Sequence, residues 1–383
     1  MNILFLSSWY PTKTNPNFGV FVKEHAHAIK TTGNEIIVLA IVIHRSKKIY
    51  SISLSDKIDK AGVRTVLIEL NTCFRDILYH AVPLQYCLVK SVFKKHIQPN
   101  FNPDIIHSNV VFPAGIIGHW LSKSLKKPHV ITEHWTRIHH FMQTPVISYW
   151  GKKAYKGAAR ILPVSLYLQQ EITPYLPNNH SNKFRVIGNV IDSDIFLYKE
   201  KQPIKTELKL CSIATWTHLK DPAKQPELLI HALSELQKEI NQTIILTMIG
   251  GGDKVPELKK LCLDKAVKAD FTGYLEKPEI ANKLQDSDFF VHPTKVETFG
   301  VVVAEALLTG TPVVCSNVSA LKELVNDKNG ILCNNTVHDW LEGIRSAINK
   351  DFERKQIALD IKQKYDKTNI GIAICEVYNE ILN

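Results

Sequence analysis

No stretch of this 383-residue sequence is apolar for long enough to cross a bilayer. The longest uninterrupted apolar run is Ile36 to Ile43, against the roughly 18 to 20 residues that a spanning helix needs. That run reads as a buried strand. Residues Met1 to Ser7 lack the basic start and long apolar core of a secretory signal, and Tyr10 and Pro11 soon interrupt them, so a cytoplasmic location is expected. The seven cysteines are odd in number and include no Cys-x-x-Cys pair, which argues against both a disulfide framework and a zinc knuckle. Cys73, Cys211, Cys262 and Cys315 read as small buried hydrophobes. His139 and His140 are neighbours, but no His-Glu-x-x-His or second cluster completes a metal site. Neither a recognisable module nor a basic helix supports nucleic-acid binding.

What is present begins with an uneven charge. Residues 1 to 187 carry 23 Lys plus Arg against 9 Asp plus Glu, a net +14; the remainder has 24 against 28, a net −4. The basic half suggests an anionic partner, whether phospholipid headgroups, a lipid diphosphate or nucleic acid, the competing reading being a merely soluble basic surface. A hydrophobic share of 45% and a charged share of 22% are ordinary for a folded chain, and the length favours two domains. Short apolar runs alternate with amphipathic stretches, the pattern of parallel sheets wrapped by helices. Residues 2–7, 36–42, 63–68, 104–107, 129–132, 160–164 and 185–187 read as one set of strands, and 209–214, 243–249, 269–272, 288–291, 312–315 and 330–332 as a second. Between the sets, residues 188–206 lack periodicity and mark a boundary. The expected organisation is a Rossmann-like domain at 1–190, a second at 207–365, and a C-terminal helix at 366–383 packing back on the first. That helix shows periodicity through Ile370, Ile374, Val377 and Ile381.

The most informative stretch is His292 to Val314, HPTKVETFGVVVAEALLTGTPVV. A strand ends at His292 and Pro293, a loop carries Glu297, and a helix runs from near Gly300 to Gly310, with Pro312 beyond it. Glu305 stands among Val301, Val302, Val303, Ala304, Ala306, Leu307 and Leu308. A carboxylate on so apolar a helix is expected to be buried, and then to need hydrogen-bond donors. Vicinal ribose hydroxyls would supply two. Backbone N–H groups at Phe299, Gly300 and Val301 would face an anion such as a diphosphate. The competing reading pairs Glu305 with a neighbouring Lys or Arg.

Glu297 and Glu305, seven residues apart with Phe299-Gly300 between them, resemble the Glu-x7-Glu motif of the retaining glycosyltransferases of family 4. Asp288 to Thr294, DFFVHPT, is similar to that family's "aDvfvlPS" strand, and Ala304 to Val314 to its "EAmacGtPVV". The likeness extends to Gly19–Val38 in the first loop and helix, to PDIIH at Pro103–His107 ("PDvvH"), and to FRVIGNVIDSDIF at Phe184–Phe196 ("kvivipNGvD..rF"). It implies a GT-B fold, two Rossmann-like doubly wound domains facing each other across a cleft. It also implies a nucleotide-diphosphate sugar as donor and an acceptor sugar or lipid-linked sugar, with synthesis of cell-surface polysaccharide or glycolipid as the setting. No cofactor or metal beyond the donor substrate is implied. Glu305 would clasp the donor ribose, Glu297 would contact hydroxyls of the transferred sugar, and Phe299, Gly300 and Val301 would offer N–H groups to sugar and diphosphate. Gly19 would let backbone approach the phosphates, and His134, in VITEHWTR, would face the donor sugar.

The sequence departs from the family at Ile213 to Lys224, IATWTHLKDPAK, where the pattern "GRL...KG" carries an Arg and a Lys for the leaving diphosphate. No Arg is present. Thr215 takes its place if Lys220 is the family's Lys, the preferred assignment; alignment from the following helix nominates Lys224 instead. Gly250, Gly251 and Gly252 do not fit Gly-x-Gly-x-x-Gly and read mainly as a turn, with Gly250 a candidate contact to the nucleotide. Residues 74–97 combine apolar and aromatic side chains with Arg75, Lys90, Lys94 and Lys95, either a peripheral contact with anionic membrane or a solvent-facing helix. The alternatives to a transferase are a non-catalytic scaffold and a nucleotide-sugar epimerase of the same fold.

Overall fold

The aliphatic runs form two separate sheets in the computed structural model, which describes residues 1–135, 138–176, 181–200, 206–218 and 223–383. One unit comprises Met1–Val190 with Lys367–Asn383; the other comprises Ile191–Asp366.

The strands of the first unit are β1 (Asn2–Ser7), β2 (Glu35–Arg45), β3 (Ser51–Ile58), β4 (Arg64–Thr72), β5 (Ile105–Asn109), β6 (His129–Glu133) and β7 (Arg160–Pro163). They lie in the order β3-β4-β2-β1-β5-β6-β7. All pairs are parallel except β3 with β4. The central strands are covered on both faces, so Ile3, Leu4, Phe5 and Val38 are sealed from solvent and the sequence there shows runs rather than alternation. β3 is an exposed edge with Ile52 and Ile58 in solvent; its alternation of Ile52, Leu54 and Ile58 with Ser51, Ser53, Ser55 and Lys57 is a strand signal that the search for aliphatic runs passes over. Residues 185–187, expected as a strand, make only the beginnings of one, with an isolated parallel bridge between Phe184 and Ile161. Arg185 and Ile187 donate N–H groups to the carbonyls of Ile161 (3.0 Å) and Pro163 (3.1 Å) beside β7. The pairing goes no further, and the next carbonyl, that of Gly188, meets His25 Nε2 at 3.1 Å. Cys73, expected to be buried, lies exposed just past the end of β4, whereas Cys211, Cys262 and Cys315 are buried.

Helix Lys367–Leu382 packs on helix Val20–Thr31 of the same unit. At Gly371 the backbones approach so closely that a Cβ would come within 2.2 Å of the Ala28 carbonyl oxygen. Ile370, Ile374 and Val377 are buried, and the Tyr378 hydroxyl sits 2.5 Å from His107 Nδ1.

The second unit has β8 (Glu207–Ile213), β9 (Thr243–Ile249), β10 (Lys268–Gly273), β11 (Phe289–His292), β12 (Val313–Ser316) and β13 (Gly330–Cys333). Their order is β10-β9-β8-β11-β12-β13, all parallel. Leu210, Leu246, Val291 and Trp340 anchor its core with no exposed surface; truncating one such leucine to alanine costs about 2–5 kcal/mol. The strand order reverses between β8 and β11, and ligands of open α/β sheets bind beyond the carboxyl ends at such a point. The loops leaving Ile213 and His292 therefore matter most. Among the described residues no helix is long and apolar enough to cross a membrane.

Candidate functional site

The two loops at the β8/β11 reversal are tied together by backbone hydrogen bonds. Gln225 N–H donates to the Pro293 carbonyl (3.0 Å) and Lys295 N–H to that of Ala223 (2.7 Å). Thr294 N–H is held by Ser316 Oγ at 2.8 Å, and Glu297 N–H by Ser319 Oγ at 2.8 Å. This lacing brings Lys224 onto Glu297 in a direct ion pair. His292 Nε2 lies 2.9 Å from Glu297 Oε1 and 3.0 Å from Lys224 Nζ. Burial pushes the Glu297 carboxyl up, but Lys224 and His292 outweigh it and hold the group down at about 2. The carboxylate is thus ionised at neutral pH and acts only as an acceptor. His292 is pushed below the ordinary imidazole range by burial and then by the Lys224 ammonium, so it is neutral there.

Helix Val301–Leu308 opens on Gly300 in the left-handed conformation (φ 88°) and is followed by Gly310, also left-handed (φ 79°). The first helical bonds are made by Val303 and Ala304 N–H to the Gly300 carbonyl, so the N–H groups of Val301 and Val302 precede the ladder and are available to an anion. Phe299 is buried and packs edge-on against Tyr365 with centroids 5.0 Å apart. Glu305 corrects the expectation of full burial. It is half-buried, on the same side of the helix as the half-buried Val301 and Val302, while Val303, Ala304, Ala306, Leu307 and Leu308 face the core. Its carboxylate therefore bears only part of the desolvation penalty assigned to it above.

Thr215, Lys224 and Lys254 line one cavity of about 200 Å³, with Trp216 and Thr217. Gly250 borders this region but spends its N–H on the Gly273 carbonyl at 2.8 Å, so it shapes the loop rather than offering a donor. Lys220 lies outside the described residues. A larger hollow of about 480 Å³, lined by Asp327, Asp351, Asp360 and their neighbours, contains none of the candidate residues.

Gly19 and His134 belong to the first unit. Gly19 caps helix Val20–Thr31 at φ 70°, and a Cβ there would stand 2.5 Å from the Trp9 carbonyl carbon and oxygen, so glycine is required. His134 follows β6 and is buried. Its Nδ1 lies 3.0 Å from Asn189 Oδ1 and its Nε2 3.2 Å from Asn109 Oδ1. Burial and then the neighbouring His25 hold the ring well below its usual range. A neutral ring carries one N–H, so one asparagine must turn its NH₂ toward the bare nitrogen. Next to it Glu133 is wholly buried, and burial pushes its carboxyl up to about 7 against donors from Val111 N–H, Tyr155 OH and the N–H groups of His134 and Trp135.

Sequence reasoning missed His292, Lys254 and Glu133. The available signal for His292 was a histidine closing an apolar strand at the sheet's carboxyl edge, and for Lys254 a cation directly after the Gly250–Asp253 turn. His139, considered for a metal, instead meets Tyr175 OH at 2.5 Å and Glu171 at 2.6 Å.

Residues 19–195 match the family model described as Glycosyltransferase Family 4, and residues 198–364 the one described as Glycosyl transferases group 1. The sequence is 25% identical over 321 residues to an uncharacterized glycosyltransferase of Methanocaldococcus jannaschii, covering 80% of this chain and 86% of that protein. It is 25% identical over 339 residues to the putative teichuronic acid biosynthesis glycosyltransferase TuaC of Bacillus subtilis, 85% of this chain and 83% of that one. Among solved structures, HepE of Anabaena in complex with UDP matches over 99% of this chain and 100% of its own, with a TM-score of 0.73 at 18% identity. The fold in common is GT-B.

Proposed function

Because the chain belongs to the family 4 glycosyltransferases, we propose that it transfers a sugar from a nucleotide-diphosphate sugar to an acceptor hydroxyl with retention of anomeric configuration, in the synthesis of a cell-surface polysaccharide or glycolipid. The observation that carries this reading is the Lys224–Glu297–His292 cluster at the β8/β11 reversal, beside the opening turn of helix Val301–Leu308. An ionised Glu297 suits sugar hydroxyls, which donate to it. Lys224 and the N–H groups of Val301 and Val302 place positive potential where a departing diphosphate gathers charge. Glu305, half-buried on the helix that Gly300 opens, takes the ribose hydroxyls. In the first unit, taken by itself, the neutral His134 suits an uncharged hydroxyl and the close backbone at Gly19 suits a phosphate. The acceptor hydroxyl attacks from the face that the diphosphate leaves, and the chain contributes position and electrostatics.

Acceptor-dependent release of nucleoside diphosphate, with the product's anomeric configuration read by NMR, tests the reaction. Release without acceptor, or an inverted product, overturns it. Glu305→Ala should weaken donor binding by about 1.5–3 kcal/mol per charged hydrogen bond lost; unchanged affinity in a folded variant rejects the ribose assignment. Activity should persist in EDTA, since lysines and backbone N–H groups supply the positive charge. Abolition by EDTA with rescue by one divalent ion refutes that part.

A further inference from the structure

The β8 loop brings one lysine to the cavity among the described residues, Lys224, and the cavity's other lysine comes from a different loop. Lys254 follows the Gly250–Asp253 turn after β9, and that turn is zipped to the β8 loop. Ala214 N–H donates to the Ile249 carbonyl (3.1 Å), Trp216 N–H to that of Gly251 (2.8 Å), and Lys254 N–H to that of Trp216 (3.1 Å). His218 N–H is taken by Asp253 Oδ1 at 2.9 Å. Gly252 makes the approach possible: a Cβ there would lie 1.9 Å from the Trp216 carbonyl oxygen. The backbone of Lys254 is thereby fixed beside Thr215 and Trp216.

Its side chain is only 16% exposed and pairs with Glu227, on the first turn of helix Pro226–Leu236. Lys224 stands on the same cavity, paired with Glu297. Two largely covered ammonium groups thus share one cavity, each already balanced by one carboxylate. A lone structural ion pair needs no such cavity, and a monoanion needs only one of the cations. A ligand with two adjacent anionic groups matches both.

Resting on the reading of this site as the donor site, the geometry points to Lys254 as the second cation for the donor's diphosphate, released from Glu227 when the diphosphate enters. It takes over from the β9 loop a charge that Thr215 cannot supply from the β8 loop. Glu227 is then a placeholder that keeps the ammonium in the cavity while no phosphate is bound.

Calorimetry on the full chain tests this with two probes: inorganic pyrophosphate, which ignores the base, and a panel of UDP, GDP, ADP and dTDP. Lys254→Gln should weaken pyrophosphate and the preferred nucleotide by about tenfold to a hundredfold, the value of one charged hydrogen bond, and make the salt dependence of binding shallower. Lys254→Arg should restore most of the affinity. Glu227→Gln breaks the same ion pair without removing the cation and should bind diphosphate as well as the unaltered chain or better. If Glu227→Gln instead loses affinity as Lys254→Gln does, the pair is a structural brace and the proposal falls. A folded Lys254→Gln with unchanged affinity also removes it, leaving the donor site standing. Failure of the unaltered chain to bind any nucleotide or pyrophosphate would remove the donor-site reading itself.

Discussion

In the first unit, burial pushes His25 down to about 4 and His129 to about 3, holds His107 and His134 well below the ordinary imidazole range, and lifts Glu133 to about 7. Polar groups are numerous inside that unit, yet the histidines are neutral at pH 7. In the second unit the polar centre is ionic: Lys224 against Glu297, which is held at about 2, and Lys254 against Glu227. The difference follows from partners. The first unit's histidines meet amides, hydroxyls, carbonyls and one another, and the support such neutral partners give a charge, as Gly188 gives His25 and Asn189 gives His134, is outweighed by desolvation. The second unit's carboxylates meet ammonium groups. The buried polar groups of the first unit thus stay neutral at pH 7 where those of the second are ionic, a contrast that holds within each unit taken by itself.

The sharpest way to break that contrast is to remove its ionic half. Lys224→Met should lower turnover by about 10²–10³, the loss seen when one preorganised electrostatic group is deleted. It also removes the foremost group depressing the Glu297 carboxyl, so that carboxyl titrates at higher pH and the acid fall-off of activity moves upward. His134→Gln removes no charge and should leave the position of the acid limb unchanged. Equal displacement of both pH profiles would show that the two units do not differ in this respect.

A smaller effect, on stability, separates the units by pH. A buried histidine with a lowered folded value contributes stability fully above 6.5 and loses it as pH falls toward 3 or 4. For His25 and His129 this is about 2 kcal/mol each by pH 5. Glu133 runs the other way. Its folded value is raised from 4.5 to about 7, so its contribution is present below 4.5 and lost as pH rises through 7, which offsets roughly one histidine over that range. Glu297, lowered from 4.5 to about 2, loses its contribution only below 4.5. Among the described residues the second unit has one buried histidine of this kind, His292, against five in the first: His25, His107, His119, His129 and His134. Hydrogen exchange at pH 5 should therefore show β5 and β6 losing protection before β9 and β11. Simultaneous loss would mean that the histidines do not govern acid stability.

Much of this arrangement is legible in the sequence, and each exception has its own physical cause. Strands covered on both faces announce themselves as aliphatic runs, and the stretch from His292 to Gly310 carries strand end, loop, helix start and stop in contiguous residues. The edge strand β3 signals itself by alternation, through Ile52, Leu54 and Ile58, rather than by an aliphatic run. The meeting of Lys224, His292 and Lys254 around one site depends on hydrogen bonds between loops far apart in sequence, Gln225 to Pro293 and Lys254 to Trp216, which local pattern cannot reveal. The half-buried state of Glu305 is hidden from the sequence for a different reason: the apolar Val301 and Val302 beside it are themselves left half-exposed.

The smallest expected effect concerns the outer surface, where the comparison reverses and the first unit is the charged one. Residues 1 to 187 carry a net +14 and the rest a net −4. Within the first unit Lys94 and Lys95 are exposed in a widened helical turn that continues helix Val82–Val92, and Lys90 leans over the Tyr86 ring at 5.4 Å. Phe74, Ile77 and Leu84 nearby in sequence also face solvent, giving apolar groups that can enter a headgroup layer beside cations that attract it. The chain should therefore bind vesicles containing acidic lipid and leave them as salt rises, because exposed charges are screened over about 10 Å at 0.1 M. Neutralising Lys90, Lys94 and Lys95 together should weaken vesicle binding by up to about 1 kcal/mol per charge while leaving nucleotide affinity, which belongs to the other unit's ionic site, unchanged. If sedimentation with acidic and with neutral vesicles at low salt gives the same bound fraction, the basic surface has no lipid role and a soluble acceptor becomes the better reading.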